Sequence, residues 1–156
     1  MEIERKFTVK RTPGDLTRYP RTRIEQAYLC TRPVVRVRRG GEEYWLTYKG
    51  EGLLAREEYN LPLTEEAYRH LLSKADGLVI RKDRFCIPWE GHTIELDVFD
   101  KPLAPLVVAE VEFPTQEAAL AFRPPEWFDR DVTYDPAYSN SNLSQNKKRP
   151  IEERGE

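Results

Sequence analysis

Alternation with a period of two runs through most of this chain, and its polar parity carries charges grouped in like pairs. In "EIERKFTV" the residues Glu2, Glu4, Lys6 and Thr8 share one parity, and Ile3, Arg5, Phe7 and Val9 share the other. "VVRVRRG" sets Arg36 and Arg38 together, opposite Val35 and Val37. "YWLTYKG" groups Trp45, Thr47 and Lys49, and "AREEYNL" groups Arg56, Glu58 and Asn60. Further on, Lys82 and Arg84 align with Ile80 and Cys86. Glu95 and Asp97 oppose Ile94, Leu96 and Val98, and Glu110 and Glu112 oppose Val111 and Phe113. Successive strand residues point to opposite faces of a sheet. A charged parity repeated this often therefore leaves an equally regular apolar face that something must cover.

The alternating segments span roughly 2–10, 22–31, 34–39, 43–50, 55–62, 79–87, 92–100 and 106–113. Gly40-Gly41 and Glu90-Gly91 read as hairpin turns. A helix is predicted over 64–77, capped by Thr64, with Ala67, Leu71 and Leu72 on its apolar face and Gly77 ending it. A second helix is predicted over 114–122, N-capped by Thr115, and a short terminal helix within "WFDRDVTYDPAYSNSNLSQ". At 156 residues the chain suits one domain with a real core. We expect that domain to fill 1–145, with a polar, mobile tail over 146–156. The fold class is α+β, mainly β: an eight-stranded antiparallel β-barrel with a few helices packed outside.

In an ordinary half-buried antiparallel sheet the charged face looks at water. Repetition across so many strands favours another solution, because the amphipathic helices suit the outer, apolar face. The charges then line a hydrophilic tunnel. Its bases are Lys6, Arg36, Arg38, Lys49, Arg56, Lys82 and Arg84; its acids are Glu2, Glu4, Glu58, Glu95, Asp97, Glu110 and Glu112. Like charges two positions apart on a strand stand about 7 Å from each other. That spacing is poor for ion pairing within a strand and good for ligands. Paired carboxylates clamp a hard divalent cation such as Mg2+ or Mn2+, and clustered Arg and Lys grip a polyphosphate.

A net charge of −2 argues against a nucleic-acid or membrane-surface partner recruited by overall charge. No apolar run approaches a membrane span, and the charged start does not read as a signal peptide. Cys30 and Cys86 stand apart without metal-type spacing, which suits a reducing, cytoplasmic setting. His70 and His92 lack partners at ligand spacing and read as surface residues. No Walker-type phosphate loop or Gly-x-Ser-x-Gly elbow is present. Tyr44, Trp45 and Tyr48 read as wall packing. Tyr28, on the parity of Gln26, points inward, either to orient a phosphate or Lys82 or simply to pack.

"EIERK" has the form Glu-x-Glu-x-Lys and resembles the N-terminal signature of the CYTH superfamily, the triphosphate tunnel metalloenzymes. Arg-x-Arg at 36–38, "TYK" at 47–49, "REEY" at 56–59, "KDR" at 82–84, "ELD" at 95–97 and "EVE" at 110–112 follow in order. The resemblance covers about residues 1–145 and is nearest to small bacterial inorganic triphosphatases. It implies an eight-stranded tunnel holding a triphosphate and a divalent metal, Mg2+ or Mn2+, and hydrolysis of inorganic tripolyphosphate to pyrophosphate and phosphate. Lys6, Arg36, Arg38, Lys49, Arg56, Lys82 and Arg84 are expected to position phosphates. Glu2, Glu4, Glu110 and Glu112 are expected to hold the principal metal, and Glu58, Glu95 and Asp97 a second metal or the attacking water. The expected catalytic set is Lys6, Tyr28, Arg38, Glu58 and Lys82. The expected partner is a small triphosphate, with no nucleic acid or membrane, and the protein is expected to be a monomer or homodimer. Class IV adenylate cyclase or thiamine triphosphatase activity is the alternative within the superfamily. A non-catalytic polyphosphate or nucleotide-binding protein is the alternative outside it, which the full set of acids argues against. Asn60 stands where an acid is often found, and "SNSNLS" at 139–144 carries serines where relatives are more basic.

Overall fold

The structure, a computed structural model, describes residues 1–145. The tail expected over 146–156 lies outside the described residues. The strands are β1 (Glu2–Val9), β2 (Arg21–Thr31), β3 (Val34–Gly40), β4 (Glu43–Lys49), β5 (Ala55–Arg56), β6 (Glu58–Pro62), β7 (Asp76–Trp89), β8 (His92–Phe99), β9 (Val107–Glu112) and β10 (Phe128–Asp131). The helices are α1 (Glu65–Leu72), α2 (Gln116–Ala121) and α3 (Asn140–Ser144), with 3-10 turns at Leu16–Arg18 and Pro136–Tyr138.

The strands form one curled antiparallel sheet in the order β10-β1-β9-β8-β7-β2-β3-β4-β6. β5 turns the far edge back onto β1, pairing Arg56 with Glu2 and Ala55 with Ile3, so the sheet closes on itself at that end. One edge of β1 serves β9 throughout. Its other edge is shared between β5 at the N-terminal half and β10 at the C-terminal half. The predicted single strand over 55–62 is therefore two strands, broken at Glu57.

β10 was not expected. "FDRD" has no apolar alternation, and it is held by tertiary bonds: Val132 N–H donates to the Lys6 carbonyl at 2.8 Å, and Arg130 N–H to Thr8 Oγ1 at 3.0 Å. Arg5 adds an ion pair with Asp131 at 2.8 Å.

Apolar outer faces are covered as the parity requires. Phe7, Ile94, Leu96, Ala109, Val111 and Phe113 pack with Ala119 of α2 and with Phe122, Trp127 and Phe128. Burying a Phe side chain of this kind contributes about 2 kcal/mol. α1 lies against β3 and β4, with Thr64 accepting a bond from Ala67 N–H and Tyr68 fully buried. His92 is not a free surface residue: its ring stands edge-on to Phe113 and Phe122, at 5.1 and 5.6 Å between centroids.

At one end the inward parity itself turns apolar. Ile80, Phe99 and Val108 meet Leu103, Leu106, Val132, Tyr138 and Leu143 in a second cluster. This plug brings residues 136–144 over the lumen.

Gly77 does not end α1, which stops at Leu72 with Ser73 as C-cap. It lies in β7 with φ of 73°, where a Cβ would stand 2.3 Å from the Ser144 carbonyl oxygen. Gly91, in the β7–β8 turn, has φ of 80° but nothing within 4 Å. Replacing Gly91 with Ala should cost about 1 kcal/mol from the left-handed backbone alone. Gly77→Ala should cost roughly 3 kcal/mol, since α3 must also move. Urea unfolding of the two variants checks this; equal losses would mean that α3 is not seated on Gly77.

Candidate active site

The lumen is a cavity of about 360 Å3. β1 contributes Glu2, Glu4 and Lys6 to its wall; β3 contributes Arg36 and Arg38; β4 contributes Trp45, Thr47 and Lys49. Arg56, Glu58 and Asn60 come from β5 and β6, Arg84 from β7, Glu95 from β8, and Glu110 and Glu112 from β9, with Tyr28 from β2. Of the fourteen charged residues assigned to the lumen from the sequence, only Lys82 and Asp97 stand behind this wall, at 0% and 1% exposure.

Those two form the floor. Asp97 Oδ1 accepts from Arg84 Nε at 2.8 Å, and its Oδ2 accepts from Arg84 Nη2 at 2.9 Å and meets Lys82 Nζ at 2.6 Å. Arg84 continues to Glu110 at 3.2 Å and Glu95 at 3.4 Å, while Lys6 meets Glu110 at 3.4 Å. Burial alone would raise the carboxyls of Asp97 and Glu110. Arg84 and Lys82 instead hold Asp97 below its ordinary value, and Lys6 and Arg84 hold Glu110 well below. Burial, against the pull of Asp97, brings Lys82 down to about 8.

A second cluster sits where β5 closes the sheet. Lys49 Nζ lies 2.9 Å from Glu2 and 3.3 Å from Glu58, and Arg56 lies 3.8 Å from Glu2. Burial and the charge of Glu4 push Glu2 up to about 7. The neighbouring Glu2, with Lys49 and Asn60, holds Glu58 down despite burial.

What remains is segregated. Among the described residues Arg36 and Arg38 make no ion pair; their side chains reach only Thr47 Oγ1 at 3.3 Å and Gln26 Oε1 at 2.7 Å. Burial and the neighbouring guanidiniums of Arg36 and Arg84 pull Arg38 down to about 9. Glu4 and Glu112 are directly opposed across β1 and β9, and neither meets a cation among the described residues. Burial, with Glu58 and Glu4, raises Glu112. Like charges directly opposed in a sheet destabilise it. The lumen thus has one pole that lacks an anion and one that lacks a cation.

Residues 1–122 match the family model of the CYTH domain. The chain belongs to the CYTH family. It is 40% identical over 149 residues to an inorganic triphosphatase of Nitrosomonas europaea, covering 92% of this chain and 96% of that protein. It is 38% identical over 154 residues to an inorganic triphosphatase of Acetivibrio thermocellus, covering 93% and 94%. The crystal structure of the inorganic triphosphatase NE1496 superposes with a TM-score of 0.69 at 36% identity, covering 93% of this chain and 95% of that one.

CYTH membership implies a divalent cation in the tunnel, and the donor set fits one. No three His, Cys, Asp or Glu groups among the described residues are gathered at one point beforehand. The acids lining the CYTH lumen nonetheless offer only carboxylate oxygens, and the unpaired Glu4 and Glu112 have Glu2 and Glu110 beside them along the same strands. Oxygen-only donors of this charge suit a hard cation. From the 139–144 stretch singled out in the sequence, Ser139, Asn140 and Ser141, none of them assigned a site role there, reach the CYTH lumen from the plug, with Asn140 Oδ1 accepting from Lys82 at 3.2 Å. No periodicity marks them; the turn signal of Asp135-Pro136 is the one local cue. Cys30 and Cys86 are free thiols, and no helix among the described residues is long and apolar enough to cross a membrane.

These shifts give the metal-free CYTH tunnel a defined pH profile. Glu2, Glu95 and Glu112 have raised values in the folded state, so ionising them costs stability as pH climbs above about 4.5, in the case of Glu2 through about 7. Asp97 and Glu110 have lowered values, so their stabilisation is complete above the ordinary carboxylate range and is lost as pH falls below it. In excess chelator the protein should therefore melt higher at pH 5 than at pH 8, and lower again at pH 3. A melting temperature that rises steadily from pH 5 to 8 would contradict the strained carboxylate pole.

Proposed function

We propose that this protein hydrolyses inorganic tripolyphosphate to pyrophosphate and phosphate within the tunnel, with Mg2+ or Mn2+. The observation that carries this reading is the segregation of unpaired charge: uncompensated guanidiniums, buried at Arg36 and half-buried at Arg38, face a lumen whose other pole is an uncompensated pair of carboxylates. An anion alone relieves one pole and a cation alone the other. A linear triphosphate carrying a divalent cation relieves both.

In this reading Arg36 and Arg38 bind phosphate oxygens, and Lys6, Lys49, Arg56 and Arg84 complete the positioning. Charge that develops on the transferred phosphoryl group and the leaving oxygen falls in the field of Lys6, Arg84 and the buried Lys82. Glu4 and Glu112, with Glu2 and Glu110, would hold the cation, which supplies charge neutralisation and polarises the phosphate. Asp97 is spent on Arg84 and Lys82, so we assign it to holding those cations in place. Glu58 and Glu95 both face the lumen, which suits them to accepting a hydrogen bond from the attacking water. Tyr28 is buried in the lumen wall, close enough to Lys6 and Arg38 for its charge to be felt by both. We place the whole of 1–145 in one domain. The free cysteines support the cytoplasm as its setting, and the net charge of −2 supports a small-molecule rather than a nucleic-acid partner.

Phosphate release from tripolyphosphate, ATP and thiamine triphosphate, with and without chelator, tests the reading. Tripolyphosphate should be turned over fastest, and only with metal. Formation of cyclic AMP from ATP at an equal rate would favour a cyclase instead. Glu112→Gln keeps the shape of the pole and removes one charge and one good metal oxygen. It should lower kcat by roughly 10²-fold or more, with the melting temperature of the metal-free protein unchanged or raised. Wild-type rates from that variant, or full activity in excess chelator, would remove the metal from the mechanism.

A further inference from the structure

Cations in this lumen are held in two different ways. Lys6, Lys49, Arg56, Lys82 and Arg84 each meet at least one carboxylate within 4 Å. Arg36 and Arg38, both on β3, are held by neutral groups instead. Gln26 is fully buried on β2, directly opposite Arg38, and its Oε1 accepts from Arg38 Nε at 2.7 Å. A guanidinium only donates, so the amide must turn its oxygen to Arg38, and its Nε2 is left buried without an acceptor. Thr47, 1% exposed and opposite Arg36 on β4, accepts from Arg36 at 3.3 Å and donates its own hydroxyl to Asn60 Oδ1 at 2.6 Å. Asn60 in turn donates to Glu58 at 3.1 Å, so a neutral hydroxyl and a neutral amide stand between that carboxylate and Arg36. Arg36 Nε also remains buried without an acceptor.

We infer that Gln26 and Thr47, the latter set by Asn60, are positioning residues that fix the two β3 guanidiniums while leaving their charge unneutralised for the substrate anion. The inference deepens the tripolyphosphate reading and rests on it for the identity of the anion. A carboxylate in either place would hold an arginine equally well and would compete with phosphate for it. A neutral oxygen accepts one N–H, orients the fork and leaves the net charge intact. The unsatisfied donors at Gln26 Nε2 and Arg36 Nε show that this pole is short of acceptors, which a bound polyanion supplies.

Gln26→Glu separates this role from plain packing, because it keeps the size and the hydrogen bond and adds only a charge. Titration calorimetry with tripolyphosphate in excess chelator should show binding by the wild type, and at least tenfold weaker binding by Gln26→Glu. The melting temperature of the variant should be unchanged or raised, since Arg38 gains an ion pair. Thr47→Val should raise KM several-fold with a smaller change in kcat, and Thr47→Ser should restore it. Binding by Gln26→Glu within twofold of wild type, or weakening only in step with a lowered melting temperature, would overturn the inference. So would a wild type that binds no tripolyphosphate without metal. A wild type that binds tripolyphosphate yet never hydrolyses it would instead remove the proposed reaction and leave this inference standing. Turnover by the wild type with undiminished binding by Gln26→Glu would do the reverse.

Discussion

Asp97 lies between Lys82 and Arg84 at 1% exposure, and the rest of the lumen depends on that contact. Two cations on one face of β7 cannot be buried without an anion, because desolvation and mutual repulsion both oppose them. One carboxylate from β8 neutralises the pair and, by binding Arg84 through both oxygens, fixes where its fork points. Arg84 then reaches Glu110 on β9 and Glu95 on β8, and Glu110 reaches Lys6 on β1. A single buried carboxylate thus organises the charges of four strands. The consequence is subtraction: once β7, β8, β9 and β1 have satisfied one another at the floor, the guanidiniums of β3 and the carboxylates at the β1–β9 mouth have no partners left.

Parity made the lumen legible because it is a local property. Any strand with Arg-x-Arg or Glu-x-Glu on one side and Val, Ile or Leu on the other declares its two faces without knowing its neighbours. Which charge meets which is not local. The pairing of Glu4 with Glu112 and of Arg84 with Asp97 follows from register between strands distant in sequence, and alternation says nothing about register. For the same reason Lys82 and Asp97 could be placed on the inward face but not recognised as lying behind the wall. The plug was hidden for a different reason. Leu103, Leu106, Val132, Tyr138 and Leu143 are scattered over turns and short helices, where no period exists to be read. Gly77 shows how a local rule can mislead: a glycine after a helical run resembles a C-cap, yet its positive φ serves the close approach of α3 to β7.

Stability and ligand binding oppose each other at both poles of the lumen. Two guanidiniums about 7 Å apart on one strand repel by about 2 kcal/mol at an effective dielectric near 20, and the opposed carboxylates of Glu4 and Glu112 repel at shorter range. The folded chain carries these costs because its apolar outer core, built on Phe7, Phe113, Phe122 and Phe128, is independent of the lumen. Any anion that binds at Arg36 and Arg38 therefore stabilises the fold as well as occupying the site, and so does any cation at the carboxylates. The two poles face one cavity, so each bound ion also lies in the field of the other. An anion raises the affinity for the cation, and by thermodynamic linkage the cation raises the affinity for the anion by the same factor. The arrangement consequently favours a ligand in which both charges arrive together over one in which either arrives alone.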